Sequence, residues 1–108
     1  MDSNEVKYLS TLVGKNEALV LLFLKDNTAS CSQEIEQGTR LRQPEASVAT
    51  NNLLKKHLIS RNEKKVEGKG RPRYYFGIGL STEDILLQMV DEKEKEIKKI
   101  RELVSKLF

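Results

Sequence analysis

The chain has 108 residues, of which 32% are charged and 38% hydrophobic, and its formal net charge is +3. Leu, Ile, Val and Phe number 15, 6, 7 and 3, well above the roughly 20% floor of disordered chains, so one modest core is expected. That length excludes a reader domain joined to a separate ligand-sensing domain and leaves little room for a full cofactor-binding fold.

Cys31 and His57 are the sole Cys and His, so no intrachain disulfide forms and a zinc site lacks its usual Cys/His ligands. No metal or cofactor is expected, and the absence of disulfides reads as intracellular. Ala18–Leu24 is apolar for seven residues with no small-residue cleavage site after it. It is too short for a membrane span of about 20 residues, so neither a leader nor a membrane partner is expected.

The charge is uneven. Residues 1–39 carry 3 basic and 6 acidic groups, residues 40–73 carry 10 and 3, and residues 74–108 carry 6 and 7. One 34-residue stretch therefore holds the entire positive excess, which is the electrostatic footprint of polyanion binding or of a solvated surface.

In chain order, residues 4–13 place Val6, Leu9 and Leu12/Val13 at helical spacing, with Gly14 as a stop. Asn16 reads as an N-cap for a second helix carrying Leu19, Val20, Leu22, Phe23 and Leu24, closed by Asp26-Asn27. Thr28–Cys31 is a short strand or a connection. Ser32 reads as the N-cap of a short helix ending at Gly38, with Gln33 and Glu34 at its positive end. A tight connection around Leu41 follows. Pro44 then fits the first turn of a helix running to about His57.

Beyond His57 the pattern changes. Ile59–Val66 reads as a strand, Glu67–Pro72 as a turn, and Arg73–Ile78 as an aromatic, β-favouring strand. Together they make a hairpin with a basic tip. Ser81-Thr82-Glu83-Asp84 opens a last helix without Gly or Pro, about 27 residues and about 40 Å long. The expected fold class is mainly α with one small β-hairpin. A division at 1–80 and 81–108 separates the compact part from the long helix.

The order helix, helix, short helix, turn, helix, basic hairpin resembles a winged helix-turn-helix domain over about residues 14–79. The resemblance rests on Ser32-Gln33-Glu34-Ile35-Glu36, Leu41–Ser47, Leu53-Leu54-Lys55-Lys56-His57-Leu58-Ile59 and Gly70–Phe76. The third segment is similar to the Leu-x-x-x-Gly-Leu-Ile ending of MarR-, ArsR- and TrmB-like prokaryotic regulators, with His57 where those families usually carry Gly. The resemblance implies a DNA-binding transcriptional regulator of the cytoplasm and nucleoid.

The residues support that expectation independently. At 100° per residue, Ala46, Ala49, Thr50, Leu53 and His57 share one side of helix 44–57. Pro44, Val48, Asn51, Asn52 and Lys55 lie opposite, with Ser47 on the flank and Gln43 at the N-terminus. Such a short polar face fits the major groove, where Asn and Gln pair with adenine and Val touches a thymine methyl. Gln43, Ser47, Val48, Asn51, Asn52 and Lys55 are therefore the base-reading candidates. Arg40 and Arg42 in the turn, with Lys65, Lys69, Arg71 and Arg73 on the hairpin, are candidates for phosphates or the minor groove; Pro72 stiffens the tip. A basic hairpin also simply keeps a sheet edge soluble. Alternation puts Tyr74 and Phe76 on one hairpin face and Tyr75 on the other, one face packing on the helices.

In the last helix Leu86, Val90, Lys93, Ile97, Ile100, Val104 and Leu107 recur at alternating spacings of four and three, a coiled-coil seam with Lys93 as its polar break. Asp91–Lys95, Glu94–Lys98 and Glu102–Lys106 are acid-before-base pairs suited to an exposed helix. The apolar seam residues are expected to form a homodimer interface, with folding back onto residues 4–13 as the alternative. A dimer sets two reading helices on a pseudo-palindromic site, about one turn apart. Two rival functions remain: a winged-helix module that joins a protein assembly, and a sequence-blind architectural DNA binder.

Other motifs carry less. Gly68-x-Gly70 and Gly77-x-Gly79 lack the strand-turn-helix fingerprint of phosphate loops. Cys31 lacks a basic sequence neighbour, Ser32 lacks a nucleophile-elbow context, and the paired carboxylates sit at helix starts. No enzyme activity and no small-molecule effector are expected.

Overall fold

The computed structural model describes residues 3–64 and 73–108. Its elements are α1 (Ser3–Leu9), α2 (Lys15–Asp26), α3 (Ser32–Thr39), α4 (Gln43–Lys55), β1 (Ile59–Lys64), β2 (Arg73–Ile78) and α5 (Thr82–Leu107). The strands pair antiparallel, with Ile59 opposite Ile78 and Lys64 opposite Arg73. Ser30 and Phe76 exchange backbone hydrogen bonds of 3.0 and 2.8 Å, so the connection after α2 contributes a one-residue third strand. The expected class, mainly helical with one hairpin and a long last helix, is the observed one.

The core lies where α2, α3 and α4 meet the hairpin base. Ala18, Val20 and Leu24 of α2, Ile35 of α3, Leu53 of α4, and Leu58 are at most 1% exposed, and Phe76 closes the cluster from β2. Small Ala46 and Ala49 let α4 pack closely on its neighbours. Gly38 does the same for α3, since a Cβ there would overlap the Phe23 ring.

Several boundaries differ from the sequence expectation, each for a local reason. The first helix ends at Leu9, not near Val13. Ser10 Oγ donates to Val6 O, and Thr11 Oγ1 donates to Tyr8 O at 2.8 Å, offering the backbone an alternative to helix. Gly14, not Asn16, caps α2, and Cys31, not Ser32, caps α3. Arg42 caps α4. At both of the last two starts a glutamate at the third helical position accepts the cap residue's own N–H: Cys31 N donates to Glu34 at 3.0 Å, and Arg42 N to Glu45 at 3.2 Å. The Cys31 backbone N–H, helped by the Cys31 side chain, lowers the Glu34 pKa below the ordinary carboxylate value.

Gly38 is inside α3; the left-handed residue that ends the helix is Arg40, at φ 62°. Helix α4 ends at Lys55, and His57 is exposed rather than on the inner face. His57 holds φ 61°, the left-handed conformation that favours glycine. The departure from Gly thus leaves the chain path that the resemblance implies intact. Strand β1 is described to Lys64; the expected strand end at Lys65-Val66 and the expected turn Glu67–Pro72 lie outside the described residues.

At the hairpin exit, Thr82 Oγ1 donates to Leu58 O at 2.7 Å and accepts Gly79 N–H at 2.9 Å. This buried hydroxyl fixes the root of α5, whereas Ser81 makes no side-chain cap bond. From there α5 leaves the domain: every residue from Asp91 to Phe108 is exposed. The long axis is 70 Å, and the radius of gyration is 17.2 Å where a compact chain has about 13 Å. The three expected acid-before-base pairs are not among the ion pairs of the described residues. Lys93 and Glu96 pair instead, at 3.7 Å. Among the described residues no helix is long and apolar enough to cross a membrane.

Candidate nucleic-acid interface

Helix α4 presents Gln43, Ser47, Val48, Asn51 and Lys55 to solvent, with Val48 60% exposed. Its inner face is held by Ala46, Ala49, Thr50 and Leu53, so the outer face has no freedom to roll inward. Pro44 in the first turn presets the helix start without sacrificing a hydrogen bond.

The outer face is divided. Gln43, Ser47 and Asn51 border a depression of about 130 Å³ against Ser32 and Glu36 of α3. Pro44, Val48 and half-buried Asn52 face the opposite way, across a groove of about 480 Å³ from Gly14, Lys15 and Asn16. Asn52 therefore stands at the side of the exposed ridge, and Ser47, Val48 and Asn51 form its crest.

Exposed cations precede and follow α4 along the chain. Arg40 and Arg42 are exposed in the turn before α4. Arg73 opens β2 on the exposed side of the hairpin, opposite Lys64. Lys65, Lys69 and Arg71 lie outside the described residues. Lys56, at the C-terminal end of α4, is bound to Glu17 by a 2.6 Å ion pair. That pair pins α4 to the start of α2 and neutralises one charge of the basic stretch.

Two further cations lie on the hairpin, one on each face, and spacing along the chain does not single them out. Arg61 lies over the Tyr74 ring at 4.6 Å, and Lys64 over Tyr75 at 5.7 Å. A ring beneath each cation stiffens it and leaves its outer donors free. Alternation along β1 against the two tyrosines was the available signal, but the pairing register was needed to use it. The tyrosines consequently act on the hairpin's own cations; Phe76 alone of the three aromatics is buried.

No family model matches the chain, and no curated protein matches it. Solved structures do. A PadR-family transcription regulator from Clostridium difficile matches with TM-score 0.57 at 19% identity, over 87% of this chain and 98% of that one. A possible transcriptional regulator from Methanosarcina mazei matches with TM-score 0.67 at 12% identity, over 94% and 88%. A transcription regulator of a Staphylococcus aureus multidrug efflux pump matches with TM-score 0.53 at 14% identity, over 97% and 88%. The helices, the hairpin and these likenesses together establish that the chain has the winged helix-turn-helix fold of transcription regulators.

Proposed function

We propose that this protein is a transcriptional regulator that binds double-stranded DNA in the cytoplasm, with α4 in the major groove and the hairpin on the flanking backbone or minor groove. The observation that carries the reading is the exposed outer face of α4, with Gln43, Ser47, Val48 and Asn51, in a stretch whose Arg40, Arg42, Arg61, Lys64 and Arg73 are all exposed. Gln43, Asn51 and Val48 supply the donors, acceptors and methyls that base edges recognise. Asn52 and Lys55 extend the contact along the groove walls. Exposed Arg40, Arg42, Arg61, Lys64 and Arg73 neutralise phosphates in this reading, with Lys65, Lys69 and Arg71 continuing the same strand-turn-strand segment in sequence.

Residues 1–80 act as the DNA-binding part and residues 81–108 as the dimerisation helix. Two copies joined through Leu86, Val90, Ile97, Ile100, Val104 and Leu107 meet a two-fold-related site. The fully exposed distal half of α5, an apolar stripe without a partner within one chain, supports this. No catalytic role is assigned to any residue.

A titration against random-sequence duplex at about 50 and about 200 mM salt tests the reading, because several phosphate contacts shift affinity by orders of magnitude between them. Tight, strongly salt-dependent binding is expected. No binding at the lower salt would overturn the DNA reading and leave α5 as a docking element for a protein assembly. Binding without any preferred sequence after selection would point to an architectural role.

A further inference from the structure

We propose that two copies pair through α5 antiparallel, so that the distal end of each helix reaches the apolar groove at the root of the other. The inference rests on the dimer reading above and assigns its direction, register and second contact.

The surface requires a cover. The chain exposes 8464 Å², whereas a compact chain of 12.4 kDa exposes about 6,100 Å². The excess is larger than the roughly 800 Å² per partner that a stable interface uses. Ile97, Ile100, Leu103, Val104 and Leu107 are each at least 50% exposed. At the other end of α5, Leu9, Leu22, Ile78, Leu86 and Leu87 line an apolar groove of about 660 Å³.

Charge sets the direction. Residues 82–97 carry 6 acidic and 2 basic groups, while residues 98–108 carry 1 acidic and 4 basic. Parallel pairing lays like halves together and adds their helix dipoles unfavourably. It also sets Lys93 against the partner's Lys93 inside the seam. Antiparallel pairing lays the acidic half on the basic half and moves the two lysines about 17 Å apart along the axis.

The seam then selects a register. With the two-fold axis between Ile97 and Ile100, Ile97 meets the partner's Ile100, Lys93 meets the partner's Val104, and Val90 meets the partner's Leu107. Along the edge Glu94 faces the partner's Arg101, and Leu87 faces the partner's Phe108. Phe108 thereby lands at the groove, so the two unpartnered apolar surfaces cover each other.

Thiol cross-linking tests this in the full chain with Cys31→Ser. Lys93→Cys and Val104→Cys variants are prepared separately, mixed, allowed to exchange, and treated with a short bismaleimide. The mixture is expected to cross-link, and Val104→Cys alone is not. Cross-linking of Val104→Cys with itself would show parallel pairing and overturn the proposal. A dimeric mass by sedimentation with no cross-link in either sample would place the interface elsewhere and also overturn it. A monomeric mass for the Cys31→Ser chain would instead overturn the dimer reading itself, and the proposal with it. As a second arm, Glu94→Lys should weaken the dimer several-fold and Glu94→Lys with Arg101→Glu should restore it; failure of restoration counts against this register.

Discussion

The winged domain and the distal half of α5 solve the same problem by different means. In the domain, apolar residues from α2, α3, α4 and β2 meet within one chain, and Leu24, Leu53 and Leu58 are fully buried. In residues 91–108 the apolar residues are as regularly spaced, yet all are exposed. Helical periodicity therefore states that a face must be buried, and not against what. The domain core is satisfied by its own chain; the seam on the projecting helix has no cover within that chain.

Removing one anchor from each region separates the two kinds of burial. Leu53→Ala should cost about 2–5 kcal/mol of folding stability, read from denaturant melts, because the side chain is enclosed on every side. Ile97→Glu with Ile100→Glu should leave the domain folded by circular dichroism while sedimentation falls to the mass of one chain. Equal damage to folding from both variants would mean that α5 belongs to the domain core.

The residues proposed to face DNA divide in the same spirit, and the expected effects are smaller. Asn51→Ala should cost about 1–3 kcal/mol at a selected site and little on random duplex. Arg61→Ala should weaken binding on all sequences alike and reduce the salt slope by about 0.9 for each phosphate no longer neutralised. An equal weakening on all duplexes from Asn51→Ala would remove its base-reading role.

Two backbone details give the finest tests. His57→Gly should raise stability by about 1 kcal/mol by relieving a left-handed residue, visible as a higher melting midpoint. Glu34 is held below the ordinary carboxylate value by the Cys31 N–H, so its contribution is present above the unfolded-state pKa. That contribution is lost as pH falls through the lowered folded-state value, so Glu34→Gln should flatten the acid side of the stability profile slightly.

Much of this was legible along the chain. Element order, the inner face Ala46/Ala49/Thr50/Leu53 and the strand Arg73–Ile78 follow from spacing alone, because burial of one helix face and strand alternation are local periodic demands. Helix ends were less legible. Cys31 and Arg42 are not residues one expects at caps, and a downstream glutamate does the bonding in their place. His57 and Arg40 adopt glycine-like backbone because the tertiary fold demands those turns from whatever residue is present.

Composition and periodicity by themselves determined a basic middle, an amphipathic set of helices and an unshared apolar seam. The tertiary structure alone decided that Arg61 and Lys64 lie over tyrosine rings, that Lys56 is taken up by Glu17, and that Asn52 is half-buried while Asn51 stays exposed. The physical reason is range. Periodicity reports which face of an element is buried, whereas pairing register and interhelix packing decide which distant side chains become neighbours.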